Sequence, residues 1–95
     1  MSSIDFIATL ESIIDDRLSN STEASYTASL ASNGVKRIAQ KVGEEAVELA
    51  LASVAGSRDE VLDEAADLVY HLLVLLRAQE INLGDVAAVL EDRHR

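Results

Sequence analysis

No cysteine occurs among the 95 residues, so disulfides, thiolate zinc sites and cysteine nucleophiles are excluded. Proline is absent and glycine occurs only four times, so little interrupts long helices. Aromatic side chains are confined to Phe6, Tyr26 and Tyr70. With 48% apolar residues, the core must therefore be aliphatic. Positive charge is scarce: eight Lys and Arg stand against 17 Asp and Glu, for a net charge of −9. That balance argues against sequence-independent nucleic-acid binding, which needs a basic surface. Long apolar runs are missing too. Residues 72–76, a run that no other exceeds, fall far short of the roughly 18 residues of a membrane span. The start, MSSIDFIATLESIIDD, has neither the basic region nor the apolar run of a secretory signal. The expectation is one cytoplasmic domain over residues 1–95, with neither membrane nor nucleic acid as partner.

What remains is helical pattern. Ile4, Ile7, Leu10, Ile14 and Leu18 recur at three- and four-residue spacing. Ser2 or Ser3 can cap that helix, and Ser19-Asn20-Ser21 ends it. Ser25 can cap a short helix over about 26–32, closed by Asn33-Gly34 with Gly34 left-handed. A long helix follows over 35–55, and Gly56 ends it. Gly43 inside it suggests close approach of another backbone. Ser57 and Glu60 form a capping-box pattern for the next helix, 58 to about 79. That helix is apolar nearly all round, which places it centrally in a bundle. In so small a protomer it lacks enough neighbours, so it is expected to pack across a subunit interface. Asn82 caps a last short helix, followed by a charged, frayed tail over 91–95. The expected fold is all-α: a helical bundle with two long antiparallel helices, completed by homodimerisation.

The stretch KVGEEAVELALASVAGSRDEVLDEAAD carries the chemistry. Glu45 and Glu48 are three apart, as are Glu64 and Asp67, so each pair shares a helix face. The Gly56-Ser57 turn lies about midway between the pairs and brings them to the same height. Four converging carboxylates repel one another, and divalent cations would neutralise them. Oxygen-only ligands favour Mg²⁺ or Mn²⁺, and Mg²⁺ characteristically carries substrate phosphates. The reaction class that follows is metal-assisted attack of water on a phosphoanhydride. The competing interpretation is a solvated acidic face, which a single such pair usually is. Lys41 and Arg37, on the same stripe, either clamp phosphate or balance the acids. Ser25 and Thr27 either cap their helix or meet phosphate with its free N–H groups. His71 lies on the acidic stripe, as hydrogen-bond partner of a ligand carboxylate or as an ordinary buried histidine. Its spacing does not suit a di-iron site, which wants Glu-x-x-His on two helices.

KVGEEAVE followed by EAADLVYHLLVLL resembles the phosphoribosyl-ATP pyrophosphatase family, within the MazG-like all-α nucleoside-triphosphate pyrophosphohydrolases. The superfamily motif is E-E-x-x-E followed by E-x-x-D, matched by Glu44, Glu45, Glu48, Glu64 and Asp67. The segments SYTASL and NGVKRIAQK also look like this family. The tryptophan-bearing segment common in the MazG group is absent. The resemblance implies hydrolysis of phosphoribosyl-ATP to phosphoribosyl-AMP and pyrophosphate, the second step of histidine biosynthesis. It implies Mg²⁺, with Mn²⁺ as a substitute, and a homodimer. It assigns metal to Glu45, Glu48, Glu64 and Asp67, and makes Glu44 a candidate for positioning or deprotonating the water, unless its roughly 100° offset from Glu45 aims it at a neighbour instead. It gives phosphate binding to Lys41, and a substrate-lining role to Ser25, Tyr26 and Thr27, with Arg37 beside them. Many members are fused to a cyclohydrolase; the 95 residues here read as the pyrophosphatase domain alone. Two other functions remain open from the residues: a house-cleaning dNTP pyrophosphohydrolase, and a non-catalytic helical dimerisation module.

Overall fold

The computed structural model describes residues 2–20, 27, 29–30 and 33–95. Among them there are helices and turns but no strands. A 3₁₀ turn at Ser3–Asp5 leads into α1, Phe6–Ser19. The Ser2 N–H donates to the Asp5 carboxylate at 3.2 Å and fixes this entry. Thr27, Ser29 and Leu30 are helical, as the pattern over 26–32 predicts. Then come α2, Gly34–Ala55, and α3, Arg58–Arg77, with α4, Leu83–Arg93, last.

Local chemistry accounts for most boundaries. Gly34 has φ +84°, the left-handed conformation expected after a helix stop. Gly56 is needed for space rather than for φ, since it is extended at φ −99°, ψ 179°. A Cβ there would lie 2.8 Å from the Ala52 carbonyl oxygen and 3.0 Å from the Glu60 carboxylate. The capping box forms as expected: Glu60 N–H donates to Ser57 Oγ at 3.2 Å, and Ser57 N–H returns to Glu60 Oε1 at 3.4 Å. α3 closes with Ile81 N–H donating to the Leu76 carbonyl and Glu80 N–H to that of Arg77, with Glu80 left-handed at φ +62°. Asn82 Oδ1 accepts from Asp85 N–H at 2.8 Å and starts α4.

Two expectations are not met within the protomer. Gly43 does not admit a neighbouring backbone within the protomer, because a Cβ built there meets nothing within 4 Å. The expected frayed tail is helical as far as Arg93, because α4 runs on past its last apolar residue.

Packing follows the apolar stripes. α2 lies along α3, and α1 lies against α3. Ile14, Leu30, Ile38, Leu73 and Val74 form the sealed core, edged by Ile7, Leu10, Leu18 and Val69. Burying each such aliphatic side chain contributes about 1.5–3 kcal/mol. Polar ties lock the same end. Arg77 grips Asp15 with both Nε and Nη2, at 2.7 and 3.1 Å, joining α3 to α1. The Arg77 guanidinium is held above its ordinary range chiefly by that hydrogen bond. Glu11 Oε2 accepts from Leu83 N–H at 2.8 Å and pins the start of α4 to α1. The Thr27 and Tyr70 hydroxyls hydrogen-bond, tying the segment before α2 to α3.

The all-round apolar character of α3 is used only in part. Its second half is buried, at His71, Leu73 and Val74, while Leu62 in its first half stays 54% exposed. No helix among the described residues is long and apolar enough to cross a membrane.

Candidate functional site

The α2–α3 hairpin sets the site. Ile38, Glu45 and Leu49 lie on the inward side of α2, because seven and eleven residues are close to whole helical turns. Glu45 is thereby carried into the seam with α3 and is only 6% exposed. Glu48, one turn on, sits at the seam's edge, and Glu64 projects from α3 opposite. These three carboxylates each offer an oxygen, all within 4.8 Å of one another.

The electrostatics of this group are unsettled without a cation. Glu45 Oε2 and Glu64 Oε2 are buried and meet no hydrogen-bond donor. Ionised carboxylates only accept, so they cannot satisfy each other. The Glu48 carboxyl is held above its ordinary value, first by a hydrogen bond with Glu64, then by the charge of Glu45. Orphaned buried oxygens on an all-carboxylate donor set are what a hard divalent cation would satisfy. The residues present fit Mg²⁺ or Mn²⁺.

Beside the cluster runs an open groove of about 300 Å³, lined by Glu48, Leu51, Ala52, Ala55, Gly56, Glu60 and Glu64. It leads from the carboxylates to the hairpin turn. Glu60 on its wall was not singled out as a site residue from the sequence. The signal was there: Glu60 is one helical turn before Glu64, on the same stripe.

The other candidates fall in different places. Asp67 is exposed and is not among the three gathered carboxylates. A rise of about 1.5 Å per residue sets it roughly 4.5 Å further along α3 than Glu64. Glu44 is turned away along its own helix. Its Oε2 accepts from Gln40 Nε2 at 3.2 Å, and Oε1 lies 3.8 Å from Lys41 and 3.9 Å from Arg37. Lys41 Nζ lies closer to Glu45 Oε1, at 3.2 Å. Both cations of the stripe are thus in contact with acids. Thr27 is fully buried with its hydroxyl on Tyr70, so it is a structural tie in the single chain. Ser25 and Tyr26 lie outside the described residues. His71 is buried and its Nδ1 lies 2.7 Å from the Asp67 main-chain carbonyl oxygen, with Tyr70 edge-on to its ring. That contact is to the main chain of Asp67.

Comparison with known proteins bears on what such a cluster serves. The family model for phosphoribosyl-ATP pyrophosphohydrolase matches residues 7–94. The chain is 52% identical over 90 residues to a histidine biosynthesis bifunctional protein HisIE of Xylella fastidiosa strain Temecula1, covering 95% of this chain and 44% of that protein. It is 51% identical over 89 residues to the protein of that name from Photobacterium profundum, covering 94% and 43%. The counterpart from Vibrio cholerae is 52% identical over 86 residues, covering 90% and 41%. The chain spans less than half the length of these curated relatives. A match over nearly every described element, including both acid-bearing helices, carries the conclusion that this chain belongs to the phosphoribosyl-ATP pyrophosphohydrolase family.

Proposed function

We propose that this chain hydrolyses phosphoribosyl-ATP to phosphoribosyl-AMP and pyrophosphate, as a step of histidine biosynthesis in the cytoplasm. Mg²⁺, or Mn²⁺ in its place, is held by Glu45, Glu48 and Glu64, with Asp67 as a fourth ligand one turn along α3. One observation carries this assignment: in a chain of this family, three carboxylates meet within 4.8 Å and leave two buried oxygens without donors. When bound, the cation would supply charge neutralisation for phosphate oxygens brought beside the acidic cluster of a chain of net charge −9. The protein's own part is positional. Glu45 is fixed by burial, Glu64 by its place on α3, and the groove beside them offers room for a nucleotide along Leu51, Ala52 and Ala55.

A homodimer belongs to the same proposal. Val47, Leu51 and Val54 on α2 and Leu62 on α3 are exposed together, with Val54 reaching 88%. A second apolar groove of about 590 Å³, between α1 and α3, is lined by Ile4, Ile7, Leu10, Leu62, Ala65 and Val69 among others. Surfaces of this kind on so small a protein mark an interaction face.

The test is pyrophosphate release from phosphoribosyl-ATP and from a panel of dNTPs, each with Mg²⁺. The expected outcome is turnover of phosphoribosyl-ATP well above any dNTP. Release from dNTPs alone would assign the house-cleaning activity instead. No release from any substrate, with Glu48→Gln leaving every property unchanged, would leave a dimerisation module.

A further inference from the structure

Lys41 stands one helical turn before Glu45, and its ammonium is nearer to Glu45 Oε1 (3.2 Å) than to Glu44 Oε1 (3.8 Å). It is the more enclosed of the two cations on the stripe, with 23% of its side chain exposed against 43% for Arg37. Glu45 itself is buried, and its other oxygen, Oε2, meets no donor. The two oxygens of this one carboxylate are therefore used differently. One faces a fixed positive charge, and the other is left for a cation.

Resting on the metal assignment above, we propose that Lys41 is a built-in competitor of the divalent cation. It neutralises Glu45 in the metal-free chain and lowers the affinity with which the cluster takes up an ion. The physical reason is charge of like sign at short range. An ion on this cluster and the Lys41 ammonium share a carboxylate inside a partly enclosed seam, where charges are screened far less than in water. Without Lys41 the metal-free state would bury Glu45 with no counter-charge, which is costly, while the metal-bound state would lose only a repulsion. Both effects favour uptake of the ion. A site weakened in this way fills more readily with a metal–polyphosphate complex than with bare metal, because the substrate's negative charge offsets the lysine. Lys41 is thus a positioning residue acting through Glu45. A phosphate clamp would instead be read in the affinity for substrate or pyrophosphate.

The experiment is titration of the purified full chain with Mn²⁺, without substrate, at neutral pH, by calorimetry and by the spin-resonance signal of free Mn²⁺. Wild type is compared with Lys41→Met, Lys41→Gln and Lys41→Arg. Removing the charge is expected to tighten Mn²⁺ binding ~10-fold in both neutral variants. Lys41→Arg keeps the charge and is expected to stay near wild type. The neutral variants should also melt at lower temperature than wild type without metal, and regain more on adding Mn²⁺. Lys41→Gln tests the same loss of charge if Lys41→Met does not fold. Unchanged or weaker Mn²⁺ binding in a folded neutral variant overturns the inference, as does a change confined to pyrophosphate affinity. In those cases wild-type Mn²⁺ binding still stands and the metal assignment with it. A wild type that takes up no Mn²⁺ at all overturns both.

Discussion

The two ends of the α2–α3 hairpin handle apolar surface in opposite ways. At the open end, Ile38 of α2 and Leu73 and Val74 of α3 are sealed against Ile14 of α1 and Leu30. Toward the turn, Leu51 and Val54 of α2 and Leu62 of α3 face outward, at 64%, 88% and 54% exposure. The residue types are the same; only the neighbours differ. α1 covers one end of α3, and nothing among the described residues covers the turn end to the same degree. Between the two ends sit Glu45, Glu48 and Glu64. The sealed end can hold two helices in register without help. Under the proposed function, the turn end is the part left to bind a cation, a nucleotide and a second copy. Packing and the candidate site are thus divided along one pair of helices.

The largest expected effect breaks the functional end alone. Glu48→Gln or Glu64→Gln should reduce phosphoribosyl-ATP turnover ~100-fold or more, beyond the ~10–100-fold that partners of metal ligands are typically worth. Circular dichroism should show an unchanged fold. The matching break at the sealed end is Leu73→Ala, which should cost about 2–5 kcal/mol in denaturant unfolding through the cavity it leaves. That loss should not depend on protein concentration. By contrast, Val47→Ser and Val54→Ser, both outside the groove lining, should leave the protomer's helicity intact and shift the oligomer toward monomer in sedimentation. If they do not, the exposed face is not the interface.

Asp67→Asn sharpens the division within the acidic stripe. Because Asp67 stands outside the gathered three, its loss should weaken Mn²⁺ binding less than Glu48→Gln does, as read by titration. The pH dependence follows from Glu48. Its carboxyl is raised in the folded chain, by the hydrogen bond with Glu64 and the charge of Glu45, so ionising it opposes folding. Stability from this group is fully present below its unfolded value near 4.5 and lost as pH rises through the raised folded value. Metal-free protein should therefore gain thermal stability from this group as pH falls from neutral, and Mn²⁺ should remove that gain. The smallest effect is expected from Arg77→Met. It breaks the α1–α3 bridge at Asp15 without touching the cluster, and a partly solvated pair contributes little. Melting should drop slightly and turnover should hold.

The helices were legible because their signals are local. Ser57 with Glu60, Asn82 with Asp85, and left-handed Gly34 each act within a few residues, and the apolar stripes needed only a helical period. The cluster was legible in part. Placing Glu45, Glu48 and Glu64 together required only the turn and the helical rise, and the structure gathers those three. Asp67 and Glu44 were harder, because a motif gives spacing but not side-chain direction. Glu44 finds Gln40, Arg37 and Lys41 on its own helix before it could reach the seam. Contacts between distant segments left no pattern at all. Nothing in the sequence links Thr27 to Tyr70, Asp15 to Arg77 or Glu11 to the N–H of Leu83. Family membership supplied what neither spacing nor geometry holds: the identity of the substrate proposed for the groove.

The central claim is that Glu45, Glu48 and Glu64 hold the working cation. The most direct measurement is an anomalous difference map from crystals grown with Mn²⁺. The expected result is a peak within bonding distance of all three carboxylates. A protein that hydrolyses phosphoribosyl-ATP but carries its Mn²⁺ elsewhere, with these three side chains unligated, would contradict it.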